Sequence, residues 1–492
     1  MLAVWSIFAV IGLAVIFEPL SIWPLAFVGY VPLLKICEKA KPILAFFVVF
    51  LIALILENIY FFWIYQVQVF KLMHASILAP YFAVYWAIWA AIASYILRAR
   101  FSFVTTLIGI SGAWVLMDYI MANLSFLAFP WNTLAHSQFD NKWLLQWASV
   151  FGEYGIAFIV ISANVIIFYA ARLSNRVLLV SASVVISIHI IGAFAYVVQP
   201  QPDLFVRIAS LQPSFGLAKV HSEQDPNQRF RRLLDLTLEA ASYDPTLVVW
   251  PEGALRGRGI ASDSRFSQIQ QLSSTGNVSI LTGYAEDEKF TTSTDSKPEQ
   301  YNQAILISSS GKPIIYSKQL LMPFAEYLPY DDIIDWPTWF VSMNSNLKPG
   351  DKAVEMRASG IVASTIICWE NLFTRFVREG LSRDTNLIVD LVNDNWFGKT
   401  SAPYQHNIAS IFRAVEFGVP VVISSNTGPS QIIDAHGKVI ASASDTFKQT
   451  YIVADVPLRS TRTIYYYIGD VFVLFQLLFL VGLFVNDKLK LK

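Results

Sequence analysis

Long apolar runs constrain this chain before any motif does. Residues 1 to about 198 are almost continuously apolar, and residues 464–486 are apolar again. A membrane span needs roughly 20 such residues, within a range of about 17 to 25. Eight runs approach that length: 2–17, 19–36, 43–65, 76–97, 102–124, 150–171, 177–198 and 465–486. The first two are short, and Pro24 and Pro32 interrupt the second. That pair reads as a hairpin that does not fully cross. Composition agrees with a membrane protein, because charged residues are 15% of the chain against about 25% in a soluble domain. The expected organisation is a transmembrane bundle over 1–198 with about seven spans, a domain outside the membrane over 200–460, and a transmembrane helix with a tail over 464–492.

Lysines and arginines in short loops set orientation. Lys35, Lys39 and Lys41 follow the second run, Arg98 and Arg100 the fourth, Arg172 and Arg176 the sixth, and Lys488, Lys490 and Lys492 the last. All fall on one side, which is therefore expected to be cytoplasmic. The domain at 200–460 is then expected on the opposite face.

That domain alternates two patterns. "QRFRRLLDLTLEAAS" places Phe230, Leu233, Leu234, Leu236 and Leu238 at helical spacing among charges. "LFVRIASLQP", "TLVVWPE", "VSILTGYA", "QAILISSSG", "IVASTIICWE", "NLIVDLVND", "PVVISSNTG" and "YIVADVPL" read as strands. Short apolar strands mixed with helices predict a layered α/β fold. The formal net charge is zero, so nothing suggests a nucleic-acid partner. Two cysteines cannot build a disulfide framework. Six histidines without ligand spacing give no support for a metal, and no cofactor is expected.

Three strand-like segments end on a reactive side chain: Glu252 in "LVVWPEGAL", Lys318 in "IYSKQLLMPFAEYLP", with Glu326 further on, and Cys368 in "TIICWENLF". Catalytic groups often gather at strand ends in α/β sheets. A thiol is a strong nucleophile once a base or a positive neighbour gives it thiolate character. Glu252 offers the base, Lys318 an oxyanion stabiliser, and the Trp369 N–H a second donor. Singly, each has an ordinary explanation: a small buried thiol, a turn carboxylate, a solvated lysine, a loop-bonding Glu326.

The order Glu, Lys, Cys in these strings resembles the nitrilase (carbon–nitrogen hydrolase) superfamily. Flanked by membrane spans, it is similar to the membrane-embedded branch that N-acylates bacterial lipoproteins. "FPWNTLAHSQ", "WPEGAL", "YSKQLLMPFAEYLP", "CWENLF", "NDNWFG" and "YQHNIASIFRAVEFGVP" resemble successive motifs of that branch in the same order, over nearly the whole chain. The resemblance implies an α-β-β-α sandwich beside a multi-span helical bundle. It implies a triad of Glu252 as base, Lys318 as oxyanion stabiliser and Cys368 as nucleophile, supported by Glu326, Glu370 and Trp369. It puts Trp131, Asn395 and Trp396 near the substrate path, and matches His406 to a family position.

The implied reaction is ping-pong: an acyl chain passes from a phospholipid to the cysteine, then to the amine of an S-diacylglyceryl cysteine at the start of an apolipoprotein. The implied location is the bacterial inner membrane, with the catalytic domain on the periplasmic side. Val220 stands where a tryptophan is common in that branch, and Val419 and Ile423 replace two arginines. Two other readings share these residues: a membrane-anchored amidase that uses water, and a non-catalytic lipoprotein-binding paralogue. A transporter finds less support, since Glu18, Glu57 and Asp118 lie in the spans without a detectable repeat.

Overall fold

In a computed structural model the chain is described over residues 2–67, 72–199, 201–216, 225–257, 259, 263–286, 300–309, 311–337 and 347–490. Val220 and the polar run 287–299 lie outside these residues. The chain divides into two compact units, one of residues 1–66, 70–200 and 463–492, the other of 67–69 and 201–462.

The first unit is helical. Among the described residues, five helices are long and apolar enough to cross a membrane: Pro42–Tyr60, Ser76–Arg98, Phe103–Asn123, Ala148–Arg172 and Asn175–Val197. The remaining three expected spans come out differently. The run 2–17 yields the helix Leu2–Leu13. The run 19–36 breaks into Trp23–Leu25, Ala26–Gly29 and Val31–Lys39, with Pro24 and Pro32 at the starts of the first and last pieces. Proline fits a first helical turn better than an interior, and here Pro24 and Pro32 each open a new helical piece. Asn164 compensates by accepting from the Tyr30 N–H at 2.9 Å and donating to the Ala26 carbonyl at 2.8 Å. At membrane depth a freed backbone group needs such a partner. The run 465–486 starts as Ile464–Ile468, turns at Gly469 (φ 53°) and resumes as Val471–Lys490. A second kink lies in Ala148–Tyr169 at Gly152 (φ 65°), where an added Cβ would lie 2.6 Å from the Tyr465 ring.

The second unit is built on two sheets. The strands are β1 (Leu204–Gln212), β2 (Leu247–Val249), β3 (Leu255–Gly257), β4 (Ser279–Glu286), β5 (Asn302–Ile307), β6 (Ile314–Ser317), β7 (Glu355–Ala358), β8 (Ile361–Ile367), β9 (Leu387–Val392), β10 (Val421–Ser425), β11 (Gln431–Ile433), β12 (Val439–Ser442) and β13 (Thr450–Leu458). One sheet runs β13-β1-β2-β4-β5-β6 with β3 beside β4, and the other runs β12-β11-β10-β9-β8-β7. β13 pairs antiparallel with β1 from Leu204–Leu458 to Gln212–Thr450. Ser460 fastens the same edge, its N–H and hydroxyl donating to Asp203 at 2.8 and 2.9 Å.

Alternation along the strands makes two cores, because successive side chains point to opposite faces. Val206, Ile208, Leu247, Val249, Ala304 and Leu306 pack with Ile361, Ala363, Leu387, Val389, Leu391 and Val422 of the other sheet. Ala209, Leu211, Val248, Ile305 and Ile307 face the helices Pro226–Ala241 and Arg265–Gly276 through Phe230, Leu233, Leu236 and Ile269. The helix Ala402–Phe417 covers the second sheet, its Ser410 hydroxyl donating to Asp390 of β9 at 3.1 Å. The result is two stacked sheets with helices outside each. Val419 and Ile423 are fully buried in it.

Candidate active site

Each of the three expected catalytic side chains leaves the end of a strand. Glu252 follows β2 after Trp250 and Pro251, Lys318 directly follows β6, and Cys368 directly follows β8. The first two come from one sheet and the third from the other. Gly283 of β4 lets the Glu252 segment close down, since an added Cβ would meet the Pro251 oxygen at 2.4 Å.

Lys318 is the hub. Its side chain is 2% exposed, with Nζ donating to Glu326 Oε1 at 2.9 Å and lying 3.8 Å from Glu252 Oε1. Asn302, at the start of β5, donates to Glu252 Oε1 at 2.7 Å and reaches Glu326 Oε1 at 3.5 Å. Glu326 is in turn fixed by the Met322 N–H at 2.7 Å. Burial alone would make Lys318 lose its proton more easily, but Glu326 and Glu252 outweigh it and hold the ammonium well above its ordinary range. Burial raises Glu252, and the Lys318 charge only partly offsets that. A carboxylate raised in this way is better matched to proton transfer near neutral pH.

Cys368 has φ 57°, in the left-handed region that a side chain rarely adopts. The chain therefore turns sharply as it leaves β8. The thiol is half-buried. Burial, then the Glu252 charge, pushes it well above its usual value, with Lys318 pulling the other way. A thiol held up in this way gains from a neighbouring base if it is to act as a nucleophile.

Glu370 ties the cysteine turn to the lysine segment. Its carboxylate accepts from Ile367 N–H at 2.7 Å, Gln319 N–H at 2.8 Å, Leu320 N–H at 3.0 Å and the Tyr316 hydroxyl at 2.9 Å. Burial pushes it up to about 7, against Lys318 and those N–H groups. The Trp369 indole adds a bond to the Leu320 carbonyl at 2.6 Å. Glu370→Ala would strand several buried donors, each worth about 1–3 kcal/mol. The expected outcome is a loss of at least ~3 kcal/mol, read as earlier thermal unfolding of this unit, with activity falling together with it. Unchanged unfolding would remove Glu370 from this bracing role.

The other expected residues have mixed positions. Asn395 is buried and donates to the Phe215 carbonyl at 2.9 Å, while Trp396 is half-buried in the short helix Asp394–Phe397. Trp131 belongs to the helical unit, where it packs on Trp63 with ring centres 5.3 Å apart. His406 Nδ1 pairs with Asp394 Oδ1 at 2.9 Å, both fully buried. Burial works against the imidazolium, and Asp394 more than restores it.

Sequence reasoning passed over Asn302, Tyr316 and Asp394. Asp394 stands in the quoted "NDNWFG", one residue before Asn395. Sγ of Cys368, an Asp394 oxygen and a His406 ring nitrogen lie within 4.8 Å of one another. These are zinc-type donors, but Nδ1 and Oδ1 are already engaged with each other, so the geometry favours an ion pair beside the thiol.

An acid, a lysine and a cysteine converging from the strand ends of two stacked sheets define a class, and the chain belongs to the carbon–nitrogen hydrolase family, which it matches over residues 207–466. Its helical part matches the apolipoprotein N-acyltransferase N-terminal domain over residues 9–166. The chain is 29% identical over 485 residues to the apolipoprotein N-acyltransferase of Geobacter metallireducens, covering 94% of this chain and 90% of that one. It is 26% identical over 507 residues to that of Haemophilus influenzae, covering 96% and 94%. Among solved structures, an amidase from a Nesterenkonia species is similar at 18% identity and a TM-score of 0.37, covering 51% of this chain and 90% of that one.

Proposed function

We propose that the protein is an acyltransferase that completes bacterial lipoproteins, moving an acyl chain from a membrane phospholipid to the N-terminal amine of an S-diacylglyceryl cysteine. The observation that carries this reading is the buried Lys318, flanked by Glu252 and Glu326 and acting electrostatically on Cys368, in a chain whose residues 9–166 match the N-terminal domain of apolipoprotein N-acyltransferases.

In the first half-reaction Glu252 takes the thiol proton and the Cys368 sulfur attacks the ester carbonyl. Lys318 and the Trp369 N–H stabilise the oxyanion. The ester C–O bond breaks, the proton passes from Glu252 to the leaving oxygen, and a lysophospholipid departs. In the second half-reaction the amine attacks the thioester. The C–S bond breaks, and Glu252 carries the amine proton back to the sulfur. Transfer from a thioester to an amine runs downhill.

Orientation is supported by the basic ends of the helical unit. Arg172 pairs with Glu38 at 2.6 Å, Lys35 lies 4.4 Å over the Phe168 ring, and the Tyr95 hydroxyl bonds Asp487. Lys35, Lys39, Arg98 and Arg172 thus sit near linked helix ends, the arrangement expected of a cytoplasmic face. The catalytic unit then works on the periplasmic side of the inner membrane.

The test is mass spectrometry of the protein incubated with phospholipid alone. The expected result is a mass gain of one acyl chain on the Cys368 peptide, discharged by a diacylglyceryl peptide with a free amine. Steady release of free acid or ammonia, without acylation of that acceptor, would mark an amidase instead.

A further inference from the structure

Two arginines stack around Phe215, and among the described residues neither pairs with a carboxylate. Arg229, on the helix Pro226–Ala241, lies with its guanidinium 4.3 Å from the centre of the Phe215 ring. Arg232, nearly one turn further, lies 5.5 Å from the same centre and donates to the Pro213 carbonyl at 3.2 Å. Arg256 of β3 and Arg265 stand close enough for their charges to act on Arg229. Arg265 is neutralised by Asp263. Among the described residues, Arg229, Arg232 and Arg256 pair with no carboxylate, and the Nε–H groups of Arg229 and Arg256 are buried without an acceptor. Burial, and then the three neighbouring guanidiniums, bring Arg229 down to about 10.

Like charges brought together around buried donors that lack acceptors are a standing cost to the fold. A ligand that supplies acceptors removes it. Guanidinium forks match phosphate, which offers several oxygens and charge in one group. The platform is firmly held: the Phe215 carbonyl accepts from Asn395 and Asn426 at 2.9 and 3.0 Å, and its N–H donates to Asn426 at 2.9 Å. Asn395 adjoins Asp394, which shares the immediate surroundings of Cys368. The Phe215 backbone is thus tied, through Asn395, to the segment that carries Asp394.

We infer that Arg229, Arg232 and Arg256 form a phosphate-binding site on the catalytic unit. The chemistry is that of a phosphodiester or a free phosphate. Its assignment to the headgroup of the acyl donor rests on the reaction proposed above.

The test uses the full chain in an uncharged detergent, titrated with glycerophosphoethanolamine, with inorganic phosphate, and with ethanolamine as the phosphate-free control, followed by phosphorus NMR line broadening for the first two and by thermal stabilisation for all three. Saturable binding of the diester is expected, with no response to ethanolamine, and roughly tenfold weaker binding in the Arg229→Gln/Arg256→Gln variant. Arg256→Gln alone leaves the Arg229–Phe215 packing in place and should still weaken binding. Tighter binding of inorganic phosphate than of the diester would assign the site to a free phosphate. If neither phosphate probe binds the parent, or the variants bind like it, the inference is overturned. Thioester formation on Cys368 from a phospholipid, measured in the same preparations, reports on the reaction separately. Binding without a thioester removes the reaction and leaves the site, whereas a thioester without binding does the reverse.

Discussion

Cys368→Ala is expected to bring acyl transfer down to background, a fall of at least ~10³-fold, while the protein unfolds at its usual temperature. The thiol is half-buried, follows β8 and only borders the core between the sheets, so removing sulfur takes one peripheral contact from that core. What disappears is the atom that, on the proposed mechanism, carries the acyl group between two substrates. Cys368→Ser is the sharper variant, because it keeps the shape at a backbone angle of φ 57° and changes only the nucleophile. A hydroxyl gives up its proton far less readily than a thiol, and burial beside Glu252 opposes ionisation further. Transfer at the parent rate by either variant would rule out a covalent intermediate on this residue. Loss of folding alongside activity would be separated by detergent-phase melting of the same samples.

Lys318→Met is expected to cut transfer by about 10²–10³-fold, the usual effect of removing an oxyanion donor, and to move the remaining activity to higher pH. The sign follows from Glu252. Burial raises its pKa and Lys318 lowers it, so losing the ammonium raises it further. On the proposed mechanism the base works as a carboxylate, so activity grows with pH as Glu252 loses its proton. Its acid limb in kcat/KM therefore shifts upward. Lys318→Arg keeps the charge and should keep the limb near its parent position, yet a planar fork does not replace a point donor between Glu326 and Glu252, and the rate stays low. An acid limb unmoved in Lys318→Met would take the base role away from Glu252.

Much of the fold could be read from residue patterns because hydrophobic period and length report directly on environment. Five helices of the helical unit follow apolar runs closely, and the strands of the second unit follow short apolar segments. Periodicity says less where backbone chemistry intervenes. The run 19–36 is apolar enough for a span, but its prolines break it and Asn164, far along the chain, makes the break tolerable. The run 465–486 looks uniform, yet Gly469 turns the chain near its start.

At the site, the positions of Glu252, Lys318 and Cys368 after apolar strands were legible. The left-handed turn at Cys368 was not, because no glycine marks it. Nor were the roles of Asn302 and Tyr316, whose bonds to Glu252 and Glu370 depend on strand register. For Asn395 the bond that fixes its amide, to the Phe215 carbonyl 180 residues away, was equally illegible. The unmatched arginines have the same origin, since their grouping joins a helix, a strand and a loop that only tertiary structure assembles.

The pairing of β1 with β13 has a bearing on how this protein is made. Translation delivers Leu204–Gln212 early and Thr450–Leu458 last in the unit. Glu252, Lys318 and Cys368 have all emerged before β13 exists. Until it does, one edge of β1 shows unpaired N–H and C=O groups, the template on which foreign strands add. A ribosome that stops before residue 450 thus releases a chain with every reactive group present and its sheet unsealed. β13, and not the strands that carry the reactive groups, is thus what seals this edge of the sheet against foreign strands.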